Sequence, residues 1–188
     1  IPSGNHDMDR LARTLDGDEL KVAFAFLLTM PGAPFIYYGD EIGLRYVENL
    51  VSVEGGYSRT GSRSPMQWNH GVNLGFSNAS PEKLYIPTDD KPNSPTVEDQ
   101  MKDPNSLYYE VKKLIALRRE HSALLSDGNI EFVSDGADGS PLAYIRSSAD
   151  EKILVVVNPA DREAVLNVPG DWKETLYEIG GAVVVEDG

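Results

Sequence analysis

The sequence contains no cysteine, which excludes a disulfide framework, a thiolate nucleophile and a thiolate-ligated zinc site. That absence fits a reducing compartment, and a cytoplasmic location is the expectation it supports. Long apolar runs are equally scarce. The best candidate, 22–30, has about half of the roughly 20 residues that a bilayer requires, so no membrane partner is expected. Basic residues are few: 17 Lys+Arg stand against 30 Asp+Glu, a formal net charge of −13. No Lys/Arg cluster is interleaved with aromatics, so nothing tracks a phosphate backbone and nucleic acid is excluded as a partner. Methionine does not open the chain, which starts Ile1, Pro2. A leader of any longer parent would lie outside it.

What is present matches a globular chain of one medium domain or two small ones, with 40% hydrophobic and 25% charged residues. Asp16, Asp18 and Glu19 precede a run of apolar residues that Pro31 and Gly32 terminate. Acids at the start and a breaker at the end predict a helix over 18–30. The next apolar run, 35–38, has no alternation, as expected for a parallel strand covered on both faces. From 44 to 103 the chain is rich in Gly, Ser, Pro and Asn. Loops of that length are uncommon unless functional, and Tyr46, Tyr57, Trp68, Phe76 and Tyr85 give it too much aromatic surface for a solvated linker. Asp103 as a cap and Pro104 at the first helical position predict a helix over 104–122. Its Lys112, Lys113, Arg118 and Arg119 are expected on a solvated face.

Beyond residue 126 the texture changes to short β-rich runs at 130–133, 142–145, 153–157, 164–168, 175–179 and 182–185, separated by turn signals. Six strands at this spacing predict an antiparallel β-sandwich. This segment holds 13 acids against 4 bases, a net −9, as expected of a solvated domain. Two domains follow, 1–125 and 126–188. Together, β/α elements followed by β-only elements define the fold class α/β plus all-β.

Chemistry concentrates at the start. Asn5, His6 and Asp7 follow Gly4 and precede a helix, which suits a loop above a strand terminus, where barrels gather functional groups. An ordinary turn capping the next helix is the plain alternative. Asp40 and Glu41 invite reading as a catalytic pair, but neighbours on a strand end point apart, and adjacent like charges more often cap or pair locally. His6, Asp7 and Asp9 lack a further ligand at metal-binding spacing, since His70 and His121 stand far off. Neither a metal nor a cofactor is expected. Trp68 and Met66 are expected to pack the long loop, and Trp172 to sit in the core of the β domain.

Four segments occur in order: Gly4, Asn5, His6, Asp7 with Arg10; then 30–43, containing Pro31, Gly32, Tyr37, Tyr38, Gly39, Asp40 and Glu41; then Arg63, Ser64, Pro65, Met66, Gln67, Trp68; then Asp103 through Tyr109. Together they resemble the α-amylase superfamily of glycoside hydrolases. Within it they are similar to the oligo-1,6-glucosidase, α-glucosidase and trehalose synthase group, whose signature has threonine where this chain has Ser64. The resemblance covers nearly the whole chain and is weaker in the β-rich tail. It implies the C-terminal part of a (β/α)8 barrel, with the seventh strand ending at Asn5–Asp7, the eighth at 35–38, and a C-terminal β-sandwich. It further implies a retaining enzyme whose nucleophile and general acid/base lie on upstream strands, so that the chain alone is inactive. Asp7 would be the catalytic carboxylate that stabilises the transition state. His6, Asn5, Arg63 and Arg10 would bind substrate, an α-glucan oligosaccharide or disaccharide, with a place as the partner of a nearby acid as an equal alternative for Arg10. The remaining partner would be the upstream barrel segment.

Two other expectations stay open. The chain could work as a carbohydrate-binding or accessory module through its β-sandwich, which exposed coplanar aromatics would support. Alternatively, unpaired barrel edges could associate with a second copy.

Overall fold

The computed structural model describes residues 1–160 and 162–181. It divides into two compact units, one formed by Ile1–Leu20 with Pro34–Lys113, the other by Lys21–Ala33 with the chain from Leu114 onward. The helices α1 (Gly17–Thr29), α2 (Val97–Lys102) and α3 (Leu107–Glu120) and the strands β1 (Asn129–Asp135), β2 (Leu142–Ser147) and β3 (Lys152–Val157) are its regular elements. No helix among the described residues is long and apolar enough to cross a membrane.

In the first unit, Pro2 pairs with Phe35 as a parallel bridge. The Ser3 amide donates to the Phe35 carbonyl at 2.8 Å and the Phe35 amide to the Ile1 carbonyl at 3.0 Å. This pairing puts the segment after Ser3 and the segment after Phe35 side by side. The expected strand over 35–38 is therefore present only as this bridge. Beyond it the chain turns at Gly39, whose φ of +86° suits glycine, and the Leu44 side chain closes against that turn. Ile42, Leu44, Tyr46, Val47, Leu20 and Leu107 form the buried apolar centre.

The long loop is held by its own polar groups. Arg45 donates to Asp89 (2.9 Å) and Ser94 (2.9 Å), and the Val47 amide donates to the Gly61 carbonyl. Within it lies α2, which the sequence reading does not foresee. Thr96 caps it by accepting from the Asp99 amide at 3.1 Å. Helix α3 starts one turn later than expected because the Asp103 carboxylate accepts locally from the Asn105 amide (2.9 Å). Ser106 instead accepts the first helical bond, from Glu110.

In the second unit β1, β2 and β3 form an antiparallel sheet in that order, with a bulge between Phe132 and Ser134. These are three of the six expected strands. The runs 164–168 and 175–179 carry no strand; Val165 is 99% exposed, so no apolar face drives pairing there. The run 182–185 lies outside the described residues. Arg118, expected on a solvated face, is buried instead. It donates to the carbonyls of Leu28 (2.6 Å), Met30 (2.8 Å) and Gly32 (2.6 Å) at the C-terminal end of α1.

Candidate active site

The parallel pairing of Pro2 with Phe35 fixes where the next few residues emerge. Asn5 folds back so that its Oδ1 accepts from the Asp7 amide at 2.8 Å, an Asx turn that lifts His6 and Asp7 to the surface. Asp7 is half exposed and gathers three cationic or potentially cationic groups. Its Oδ1 lies 2.8 Å from Arg63 Nη2 and 3.3 Å from Arg59 Nη1, and its Oδ2 lies 3.2 Å from His6 Nε2. Arg63 makes a second contact, Nε donating to the His6 carbonyl at 2.7 Å. One guanidinium thus grips both the backbone and the carboxylate of adjacent residues, a fork geometry lysine lacks.

Arg63 is carried by the turn Thr60–Arg63. Gly61 sits against the Val47 carbonyl and the Tyr46 ring with no room for a side chain, which lets that turn approach closely. On the turn's other side Tyr37 Oη donates to the Ser62 carbonyl (3.3 Å) and Tyr38 Oη to the Ser64 carbonyl (2.8 Å).

The structure brings Asn5, His6, Asp7 and Arg63 together and leaves Arg10 apart from them, as the partner of a nearby acid. The Arg10 side chain is wholly buried, 2.9 Å from Asp40 Oδ1, and Nη1 also donates to the Tyr38 carbonyl at 2.8 Å. The guanidinium lies 4.7 Å from the Tyr37 ring centre and 4.8 Å from that of Tyr38. Arg10 is therefore buried with Asp40 and is not at the surface that Asp7 and Arg63 share. The second Asp40 oxygen accepts from Ser3 Oγ at 2.7 Å, and Ser3 Oγ accepts from the Tyr37 amide. Burial pushes the Asp40 carboxyl above its usual range, with Ser3 and Arg10 opposing. Glu41 is raised by burial too. Arg59 was missed by the sequence reading; its position four residues before Arg63 in a Gly/Ser-rich segment was the only available signal.

Asp9 pairs with Arg13 at 2.8 Å and does not join His6 and Asp7. Among the described residues no group of three His, Asp or Glu side chains is placed to hold a metal ion. Trp68 is largely exposed, beside a groove of about 460 Å³ lined by His70, Val97 and Met101 among others. In the β domain Tyr144 is buried, Trp172 is half-buried and Phe132 is exposed.

The parallel bridge between Pro2 and Phe35 thus carries the Asp7 cluster just beyond it. The α-amylase catalytic-domain family matches residues 2–128, and the maltogenic amylase C-terminal domain matches 130–185. The chain belongs to the α-amylase family. It is part of that family's barrel followed by an antiparallel β domain. A trehalose synthase of Pimelobacter sp. is 37% identical over 159 residues, 79% of this chain and 26% of that protein. A glucan 1,6-α-glucosidase of Streptococcus pneumoniae is 33% identical over 207 residues, 93% of this chain and 38% of that protein. Among solved structures, the MutB D200A mutant in complex with glucose superposes with a TM-score of 0.70 at 26% identity, covering 84% of this chain and 34% of that one. Trehalose-6-phosphate hydrolase of Bacillus licheniformis gives 0.68 at 28% identity, covering 83% and 33%. The chain thus spans about a quarter of the first of these two curated relatives and about two-fifths of the second.

Proposed function

We propose that this chain furnishes part of the sugar-binding rim of a retaining α-glucosidic hydrolase or transglycosylase. The nucleophile and the general acid/base are supplied by polypeptide outside it. Asp7 is the carboxylate that accepts hydrogen bonds from ring hydroxyls as positive charge develops at the anomeric carbon. His6 donates to a hydroxyl of the same ring, and Asn5 shapes the turn that presents both. The substrate is a short α-glucan or a disaccharide, a reading supported by the kinship with a trehalose synthase and a glucan 1,6-α-glucosidase. Residues 1–125 form the barrel part and 126–188 the appended β domain. That boundary is supported by family matches that meet between 128 and 130. Taken alone the chain is inactive.

The observation that carries this reading is the half-exposed Asp7 carboxylate with Arg63 and Arg59 on one oxygen and His6 on the other. Oriented cations around an accessible carboxylate fix it in advance of the reaction, so its interactions with the transition state need no reorganisation. In the enzyme that contains this chain, Asp7→Asn is expected to raise the barrier by about 3 kcal/mol or more. A kcat within about threefold of the parent would refute the assignment. The accessory-module alternative is not favoured, because among the described aromatics of the β domain only Phe132 stands out from the surface.

A further inference from the structure

Arg63 is held from two sides. Toward Asp7 it makes the fork already described. Behind it, the backbone carbonyls of the residues before and after it, Ser62 and Ser64, each accept a hydrogen bond from a tyrosine hydroxyl, Tyr37 at 3.3 Å and Tyr38 at 2.8 Å. The two tyrosines are consecutive, and their rings meet edge to face with centroids 4.7 Å apart. Both rings also lie against the buried Arg10 guanidinium, and the Tyr37 amide is bonded to Ser3 Oγ. The hydroxyls thus stand on a base that is itself fixed.

We infer that Tyr37 and Tyr38 are positioning residues for the proposed reaction, setting where Arg63 stands relative to Asp7 by gripping the backbone carbonyls of the residues before and after it. The inference rests on the assignment of Asp7 and Arg63 to the sugar-binding rim. The bond to the Ser62 carbonyl holds the peptide plane that enters Arg63, and the bond to the Ser64 carbonyl anchors the chain one peptide beyond it, so the backbone that carries the Arg63 side chain is tethered at both ends. A long flexible side chain whose base is fixed loses less freedom on forming its fork. Burial, then the neighbouring Tyr38, pushes the Tyr37 hydroxyl above its usual range, so it remains a donor at neutral pH. Neither tyrosine hydroxyl contacts the Asp7 carboxylate, so the effect passes through Arg63.

The test uses the enzyme that contains this chain, with Tyr37→Phe, Tyr38→Phe, the double variant, Arg63→Lys, and the combination of the double variant with Arg63→Lys. Phenylalanine keeps the rings over Arg10 and removes only the hydroxyls. The double variant is expected to lower kcat by about tenfold with KM changed less than about twofold. In the Arg63→Lys background, where the fork is already lost, the same double change is expected to cost less than about twofold. Equal losses in the two backgrounds, or no loss in the first, would overturn the inference. Thermal unfolding midpoints are measured alongside. If the double variant does not fold, the two single variants carry the same comparison against Arg63→Lys. A harmless Asp7→Asn would sink the parent assignment, whereas a disabled Asp7→Asn with unaffected tyrosine variants would sink only this inference.

Discussion

Asp7 Oδ1 and Arg63 Nη2 lie 2.8 Å apart although the two residues are 56 positions apart in the chain. The contact forms because the turn Thr60–Arg63 lies above the loop that follows the Pro2 and Phe35 pairing. Arg59 reaches the same oxygen at 3.3 Å but makes no second contact of the kind Arg63 makes with the His6 carbonyl.

That asymmetry predicts unequal roles. In the enzyme that contains this chain, and on the proposed assignment of Asp7, Arg63→Lys keeps the charge and loses the fork, and kcat/KM for an α-glucoside is expected to fall by about tenfold. Arg59→Lys is expected to change it by less than about twofold, since an exposed ion pair contributes little. Steady-state kinetics of the two variants side by side decide the matter, and equal effects would mean that the second contact is irrelevant.

Arg10 and Asp40 form an ion pair whose side chains are both fully buried. Arg10 Nε and Nη2 have no hydrogen-bond partner among the described residues, so the pair already carries a desolvation cost. Removing one member is expected to cost about 3–5 kcal/mol, because the other charge stays buried alone. Arg10→Met combined with Asp40→Asn is expected to recover much of that loss. Chemical denaturation of the two single variants and the double variant tests this, and strictly additive losses would show that the partners do not depend on each other.

Asp40 also predicts a pH dependence. Its folded pKa is raised, chiefly by burial. The native state therefore holds the proton at pH values where the unfolded chain, with a pKa of about 3.9, has released it. Stability from this group is full below that value and is lost as pH rises through the folded pKa. Glu41 adds in the same sense. Asp40→Gln or Asp40→Asn should flatten the fall in unfolding midpoint on going from about pH 4 toward neutrality, and an unchanged slope would contradict the burial of Asp40.

Much of this was legible in advance, and the failures have a common cause. Helix α1 was marked by acids at its start and Pro31 with Gly32 at its end. Strands β1, β2 and β3 were marked by turn signals around β-branched runs. The juxtaposition of Asn5, His6, Asp7 and Arg63 was readable only through the ordered set of four segments, since no local pattern links residue 7 to residue 63. What the sequence hid were partners that are backbone carbonyls. Every residue has one, so neither the grip of Tyr37 and Tyr38 on the Arg63 turn nor the burial of Arg118 leaves a mark in side-chain pattern. Charge invited the wrong inference for Arg118, because a guanidinium is read as solvated until its acceptors are known.

Thr96, Asp99 and His70 give the opposite pH response to Asp40. Asp99 accepts from Thr96 Oγ1 at 2.8 Å and pairs with His70 Nε2 at 2.6 Å. Thr96 first and His70 second hold its pKa below the usual carboxylate value. Such a group stabilises the fold above about pH 4 and loses that contribution as pH falls through the depressed value. Thr96→Ala removes the cap of α2 as well. It is expected to cost about 1 kcal/mol at neutral pH and to weaken the acid-side fall, measured by unfolding midpoints over the acidic range. A neutral-pH midpoint equal to that of the parent would show that α2 does not need its cap.

Two arginines close the C-terminal end of α1. Gly32 has φ +83° and Pro31 brings no amide hydrogen, so the final carbonyls of the helix cannot be satisfied by continuing it. Arg118 donates to those of Leu28, Met30 and Gly32, and Arg146 donates to that of Thr29. A positive charge here also complements the negative end of the helix dipole. Arg118→Met leaves the buried Leu28 carbonyl without this donor, at about 1–3 kcal/mol, while the part-buried Met30 and Gly32 carbonyls can turn to water. The variant is therefore expected to lose about 1–3 kcal/mol of stability. Arg118→Lys, which retains charge but not the fork, should fall between it and the parent. Hydrogen exchange adds a local readout: amide protection in the last turn of α1 should drop in both variants before global unfolding does. If Arg118→Met unfolds like the parent and that turn keeps its protection, the three carbonyls must find other donors, and the capping role of Arg118 is wrong.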